Sequence, residues 1–339
     1  MRELFSLILV WFLHINNKIT RYHTVYERSM VGMGSMPNVR EMIQTNINNN
    51  KNVADKIMPK FLFFTASISI LTTIGIVLTL VIDASKFFSS VPFKEVFSTN
   101  LAPLSANPSF GILPLINGTI FTTVIAMMVA IPLGLSSAIY LSQFASESKR
   151  KMLKPMMEIL AGIPTIVYGF FAYSFVTPLL MKIIPSLEAK NVISPGLVMG
   201  IMIIPMVASL SEDAMNAVPE AMKEGALGLG STRLEVSLKV IIPAAISGIM
   251  ASFVLGISRA IGETMIVAIA SGSSKAFTFD ITRSMQTMTA YIVEFTSGDA
   301  GSGTVGYYSL YAVGLLLFLF TLVMNLIAQY ISKKYREEY

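Results

Sequence analysis

The sequence predicts an all-α integral membrane protein of about six transmembrane helices, and three observations carry that prediction. The chain of 339 residues is 53% hydrophobic and 13% charged, where a soluble domain carries about 25% charged residues. Mean hydropathy is +0.65. Charge is absent from a few long blocks instead of being thinned evenly, which is the pattern of helices that face lipid.

Each span follows from length. A hydrocarbon core of about 30 Å needs roughly 20 helical residues. Six windows meet that need, at 61–82, 114–141, 155–181, 194–210, 243–270 and 307–331. The first, second, fourth and sixth hold no charged residue, the third holds Glu158, and the fifth holds Arg259 and Glu263. With the N-terminus inside, the inner segments (1–60, 142–154, 211–242 and 332–339) contain 18 of the 25 Lys and Arg, and the outer loops contain 6. Basic residues collect on the cytoplasmic side of membrane proteins, so both termini are expected there.

Residues 1–55 read as an N-terminal cytoplasmic extension, interfacial or disordered, ahead of a membrane domain over 56–335. The apolar run Leu4–Leu13 is too short to span, and Trp11 would anchor it at the interface. No small-residue cleavage site follows, so no signal peptide is expected. Asn46 and Asn48–Asn50 mark a polar linker, and Met30, Met33 and Met36 are alternative starts.

Composition also excludes chemistry. There are no cysteines, which removes disulfides, thiolate metal sites and cysteine nucleophiles together. His14 and His23 have no companion ligands, and the 22 methionines are scattered as adaptable filler. HExxH, GxSxG and paired-Asp patterns are lacking, as is the Gly-x-x-x-x-Gly-Lys-Ser/Thr loop of an ATPase. No catalytic residue, metal or cofactor is therefore expected. The net charge of +5 lies where topology places it and does not call for nucleic acid. Gly301 to Gly306 imitates a dinucleotide-binding glycine pattern but lacks the strand–helix–strand setting that gives it meaning. Lys149, Arg150, Lys151 and Lys154 read as a topology determinant touching anionic lipid. Glu158 beside them is equally a polar anchor or a path residue.

Two segments carry function. Between spans four and five, Pro219 suits a first helical position and Gly228 and Gly230 stop that helix. Thr232 with Glu235 forms a capping box that starts a second helix. The predicted result is two short helices meeting at a glycine corner on the inner face, within 215–242. In span five, Arg259 and Glu263 are four residues apart, which places them on one face of a continuous helix. Charges at that depth are costly, about 2.5–3.5 kcal/mol each on the lenient scale, and their order is the weaker one for supporting a helix. A polar path is the better reason for them. Gly248, Ser252, Gly256 and Gly262 share that face, and small residues there would let a partner helix approach closely.

The inner loop resembles the coupling loop of ABC-importer permeases. Glu224-Gly225-Ala226, Gly230 and Val240-Ile241-Ile242-Pro243 keep that family's spacing, with Gly225 in place of the usual alanine. Gly256-Ile257-Ser258-Arg259-Ala260-Ile261-Gly262-Glu263-Thr264-Met265 resembles the signature of the phosphate-uptake (Pst) permeases. Ser211-Glu212-Asp213-Ala214, Ala161-Gly162-Ile163-Pro164-Thr165-Ile166-Val167-Tyr168-Gly169 and Pro114-Leu115-Ile116-Asn117-Gly118-Thr119 agree with it. Met265 after Glu263-Thr264 fits the C-type partner better than the A-type. The resemblance covers about 56–335.

It implies a type I importer permease in a prokaryotic cytoplasmic membrane. A second homologous permease would complete the heterodimer, two ATPase subunits would bind ATP and Mg, and an external phosphate-binding protein would deliver inorganic phosphate. Glu220, Glu224, Gly225, Ala226, Gly230 and Pro243 would then couple to the ATPase, and Arg259, Glu263 and Thr264 would line the substrate path. A guanidinium fork matches a phosphate oxyanion, and a carboxylate beside it could accept the proton that phosphate retains and sulfate lacks. The alternatives are another oxyanion, such as sulfate or molybdate, or a membrane scaffold relaying phosphate status to a sensor.

Overall fold

A computed structural model describes residues 53–299, 301 and 303–334. The expectations for the short apolar run, the two histidines and the asparagine-rich linker lie outside the described residues. The chain divides into two compact units, Met1–Thr73 and Ile74–Tyr339. The described part of the first is the opening stretch of helix α1 (Val53–Ser90). Phe61, Phe63 and Phe64 on it are exposed, as lipid-facing side chains are.

In the second unit, the end of α1 leads through α2 (Phe93–Val96) to a short antiparallel hairpin of β1 (Leu101–Ala102) and β2 (Ser109–Phe110), with Leu101 opposite Phe110. Helix α3 (Leu113–Ile139) follows and continues through a π-helical turn to Phe144. Helix α4 (Glu147–Gly162) precedes α5 (Thr165–Phe171), which a further π-helical turn joins to α6 (Thr177–Met181). Next come α7 (Ile193–Asn216), α8 (Glu220–Gly228), α9 (Arg233–Val236), α10 (Ile242–Ala244) and α11 (Ile246–Ile261). The chain closes with α12 (Met265–Ala270), α13 (Met288–Glu294) and α14 (Val305–Lys334).

Among the described residues four helices are long and apolar enough to cross a membrane: Ile57–Ser90, Leu113–Phe144, Ile193–Asn216 and Val305–Ile331. Six spans result when each of two bent pairs counts as one, Glu147–Gly162 with Thr165–Met181 and Arg233–Ala244 with Ile246–Ile261. The bends correct two expectations. The window 155–181 is not one straight helix but turns by 86°. Pro164 forces Ile163 into extended backbone (φ −66°, ψ 128°), because the residue before proline is kept out of helical conformation. The window 243–270 begins at a 72° bend and breaks again between Ile261 and Met265. The fourth window also runs further than expected, since α7 continues past 210 to Asn216.

Close approach of α3 and α7 builds the centre. A Cβ on Gly200 would lie 2.6 Å from the Ala126 carbonyl oxygen, so only glycine lets the two backbones come this near. Around that seam Met127, Tyr168, Met199, Met202, Ile203 and Ile266 form one buried cluster. A second cluster gathers Phe87, Phe110, Leu115, Tyr291 and Phe295 at the hairpin end, and a third gathers Ala138, Met215, Val236, Ile241 and Ile249 at the α8–α9 end.

Candidate functional site

The α8–α9 corner forms as the sequence predicts. Helix α8 ends at Gly228, and Gly230 takes φ +90°. The Ser231 amide donates to the Ala226 carbonyl (3.2 Å) and the Gly230 amide to the Leu227 carbonyl (2.9 Å), which is the Schellman arrangement of a glycine C-cap. Thr232 and Glu235 close a reciprocal capping box, with the Thr232 amide donating to Glu235 Oε2 (3.0 Å) and the Glu235 amide to Thr232 Oγ1 (3.3 Å). Those bonds, the backbone one first, hold the Glu235 carboxyl below its ordinary value. Glu220, Glu224, Gly225 and Pro243 are exposed and Ala226 is half-buried. Leu229 at the tip is 90% exposed, an apolar side chain presented outward on a rigid turn.

The Arg259–Glu263 geometry differs from expectation. A continuous helix would stack the two side chains, but α11 stops at Ile261 and α12 starts at Met265. Glu263 Oε1 accepts from the amides of Thr264 (3.1 Å), Met265 (3.1 Å) and Ile266 (3.4 Å). A carboxylate there satisfies amides that have no partner in the helix and complements the positive end of the helix dipole. Glu263 is therefore a buried cap, and Arg259 forms no ion pair with it among the described residues. The Thr289 hydroxyl holds the Glu263 carbonyl (2.7 Å), and the Thr264 hydroxyl donates to the Gly262 carbonyl (3.2 Å).

The small-residue stripe is also corrected. A Cβ on Gly248 would lie 2.5 Å from Cβ of Ala214, Ser252 shares a buried hydroxyl bond of 2.8 Å with Ser211, and Gly256 lies against Met127, Val207 and Ile203. Helices α7 and α3 of the same chain already fill that face, so it is not available to a partner subunit. Gly262 stands apart from the stripe, exposed at the break.

Arg259 turns instead to a cavity of about 430 Å³ between α4, α7 and α11, whose charged lining residues are Lys154, Glu158, Glu212 and Arg259. Helix α4 brings Lys154 and Glu158 to one side, because residues four apart share a helix face. Helix α7 brings Glu212, which is fully buried. Lys154 Nζ lies 3.1 Å and Arg150 Nη2 3.4 Å from Glu212 Oε1. Two of the four basic residues read as a lipid-facing loop are thus engaged inside the protein, whereas Lys149 is exposed and Lys151 pairs with Glu147 at 3.8 Å. The sequence placed Glu212 in a loop, yet a carboxylate immediately after an apolar window, matched by basic residues in the neighbouring inner segment, was a readable signal.

These helices define a class, a polytopic membrane permease with a two-helix corner at one end and a charged cavity between its helices. The chain belongs to the binding-protein-dependent transport system inner membrane component family, whose profile matches residues 130–337. It is 31% identical over 243 residues to a protein named probable ABC transporter permease protein YqgH of Bacillus subtilis, covering 72% of this chain and 78% of that one. It is 31% identical to the phosphate transport system permease protein PstC of Mesorhizobium japonicum, covering 76% and 83%. It is 32% identical to the probable phosphate transport system permease protein PstC of Methanocaldococcus jannaschii, covering 74% and 87%. The fold is that of type I ABC-importer permeases. A chain of a bacterial alginate ABC transporter, solved with an alginate-bound periplasmic protein, aligns at TM-score 0.58 and 14% identity over 85% of this chain and 99% of its own. A chain of the MetNI methionine ABC transporter aligns at TM-score 0.50 and 13% identity over 67% and 95%.

Proposed function

We propose that this chain is the permease subunit of an ATP-driven phosphate importer, forming half of the transmembrane phosphate pathway and coupling it to a separate ATPase. The carrying observation is Arg259, half-buried in a charged cavity and joined to no carboxylate within ion-pair distance among the described residues. A guanidinium drawn partly out of water without a counter-ion is costly unless an anion passes it. The PstC-named relatives support phosphate as that anion.

In this reading Arg259, Glu263 and Thr264 belong to the substrate path, and the break at Gly262 separates Glu263 from the helix that carries Arg259. Glu220, Glu224, Gly225, Ala226, Gly230 and Pro243 belong to the corner that docks on the ATPase, with Leu229 as the apolar tip. A second homologous permease, two ATPase subunits holding ATP and Mg, and an extracytoplasmic phosphate-binding protein complete the machine in a prokaryotic cytoplasmic membrane with both termini inside. An inside-negative potential opposes anion entry by about 2.3 kcal/mol per charge per 100 mV, so uptake needs that energy source.

Labelled phosphate uptake by the assembled importer tests the reading. Arg259→Ala should lower uptake by about a hundredfold, the loss of one charge-assisted clamp, with ATPase binding intact. Gly230→Asp should lose uptake and ATPase binding together. Uptake unchanged in Arg259→Ala contradicts the pathway assignment.

A further inference from the structure

The cavity holds more charge than a path lined by Arg259 alone requires. Glu212 is completely buried, and its Oε1 faces Lys154 Nζ (3.1 Å), Arg150 Nη2 (3.4 Å) and Asn216 Nδ2 (3.5 Å). Its other oxygen, Oε2, has no hydrogen-bond partner although it too is buried. A carboxylate buried only to hold two helices together would have both oxygens paired, because an orphaned buried oxygen recovers nothing for its lost hydration.

The two cations are held differently. Arg150 Nη2 also donates to the Leu141 carbonyl (2.8 Å), so Arg150 stays beside Glu212 on its own account. Lys154 has Glu212 as its only ion-pair partner among the described residues, and its side chain is 40% exposed. It ends a flexible stem with three rotatable donors. Arg259 lines the same cavity.

We propose that the cavity is a two-cation holding site for phosphate on the pathway, in which Lys154 leaves Glu212 to join Arg259 on the anion. Arg150 keeps Glu212 neutralised while Lys154 is away, and Glu212 takes Lys154 back once the anion has gone. A tetrahedral oxyanion offers enough acceptors for a guanidinium fork and an ammonium together. The cavity of about 430 Å³ accommodates that ion with water, since a water occupies about 30 Å³ in the liquid. Glu158 on the same wall repels the anion and keeps the site shallow, and a conducting site must release as well as bind.

The proposal rests on the phosphate-permease reading, and the test separates the two. The whole importer is reconstituted in proteoliposomes, the amount of this chain inserted is measured, and uptake of labelled phosphate and of labelled sulfate is read for each variant. Lys154→Gln should lower the maximal phosphate rate by about tenfold, one charge-assisted contact, and Lys154→Arg should keep most of it. Lys154→Gln combined with Glu212→Gln rebuilds a neutral hydrogen-bonding pair between the helices. The proposal expects that double variant to stay slow, since no cation reaches the anion. Should Lys154→Gln fail to insert, the double variant carries the test. A wild-type rate in Lys154→Gln or in the double variant overturns the holding site and reduces the pair to a structural latch, leaving the phosphate reading intact. If the parent importer carries sulfate and the Lys154 effect appears there, the phosphate reading falls and the site stands.

Discussion

Among the described residues two carboxylates meet lysines that are distant in the chain, and their surroundings differ in one respect that decides their roles. Glu294, at the hairpin end, has both oxygens paired, one with Lys275 Nζ (2.9 Å) and the other with Gln286 Nε2. Lys275 also sits over the Phe295 ring, 5.6 Å from its centroid. The orphan atom there is a neutral amide oxygen, Gln286 Oε1. At Glu212 the orphans are an oxygen of the charged group itself and Nε of Arg150 beside it, and the donors that do reach the carboxylate gather on its other oxygen. A pair with its charge fully satisfied fixes structure, and a lopsided one in a cavity is ready to exchange a partner. Buried ion pairs are weak evidence for stability in general, so the distribution of hydrogen bonds over the two oxygens is the more telling feature.

Five variants or conditions break or sharpen that contrast. Glu294→Gln strands Lys275 in a site where both side chains are 21% exposed; thermal unfolding in detergent should show a loss of about 2–3 kcal/mol, with uptake per inserted molecule unchanged. Glu212→Gln should cost less, about 1 kcal/mol, because Arg150 and Lys154 are 37% and 40% exposed and water takes over their hydration. If Glu212→Gln proves the more destabilising, the contrast fails. Gly230→Ala probes a turn closed by backbone hydrogen bonds. Its φ of +90° admits an L side chain only at about 1 kcal/mol, and ATPase binding should weaken by about fivefold to tenfold. Gly225→Ala, in helical backbone with nothing within 4 Å of its Cβ, should be neutral or better. The smallest effect is with pH. The Glu235 carboxyl is held below its ordinary value, so its capping box is fully present above the ordinary glutamate range and is lost as pH falls through the lower folded value. Exchange protection of the Glu235 amide should fall over that acid window and stay flat above it.

Much of the fold was legible because a membrane makes each span announce itself by composition. The corner was legible too, since Gly228, Gly230, Thr232 and Glu235 act through local backbone chemistry. The break at Gly262 was not. Arg259 and Glu263 four residues apart read as one helical face, and only the three amides gathered on Glu263 Oε1 reveal that a carboxylate can cap the start of a new helix as readily as pair along an old one. The 86° turn before Thr165 had a visible cause in Pro164, but hydropathy alone ran across it. At Glu212 the sequence offered only a carboxylate just past an apolar window and a basic inner segment to match it; the actual pairing is tertiary, with Arg150 and Lys154 some sixty residues earlier in the chain. The stripe from Gly248 to Gly256 was read correctly as a packing face, while the helix that fills it belongs to the same chain.

The account turns on which anion passes Arg259. The most direct measurement is uptake of labelled phosphate into cells whose sole phosphate importer contains this chain, with unlabelled sulfate in large excess, for the parent protein and for Glu263→Gln. The account predicts that sulfate leaves the parent rate untouched and that Glu263→Gln slows phosphate uptake or admits sulfate. Competition by sulfate in the parent would contradict it.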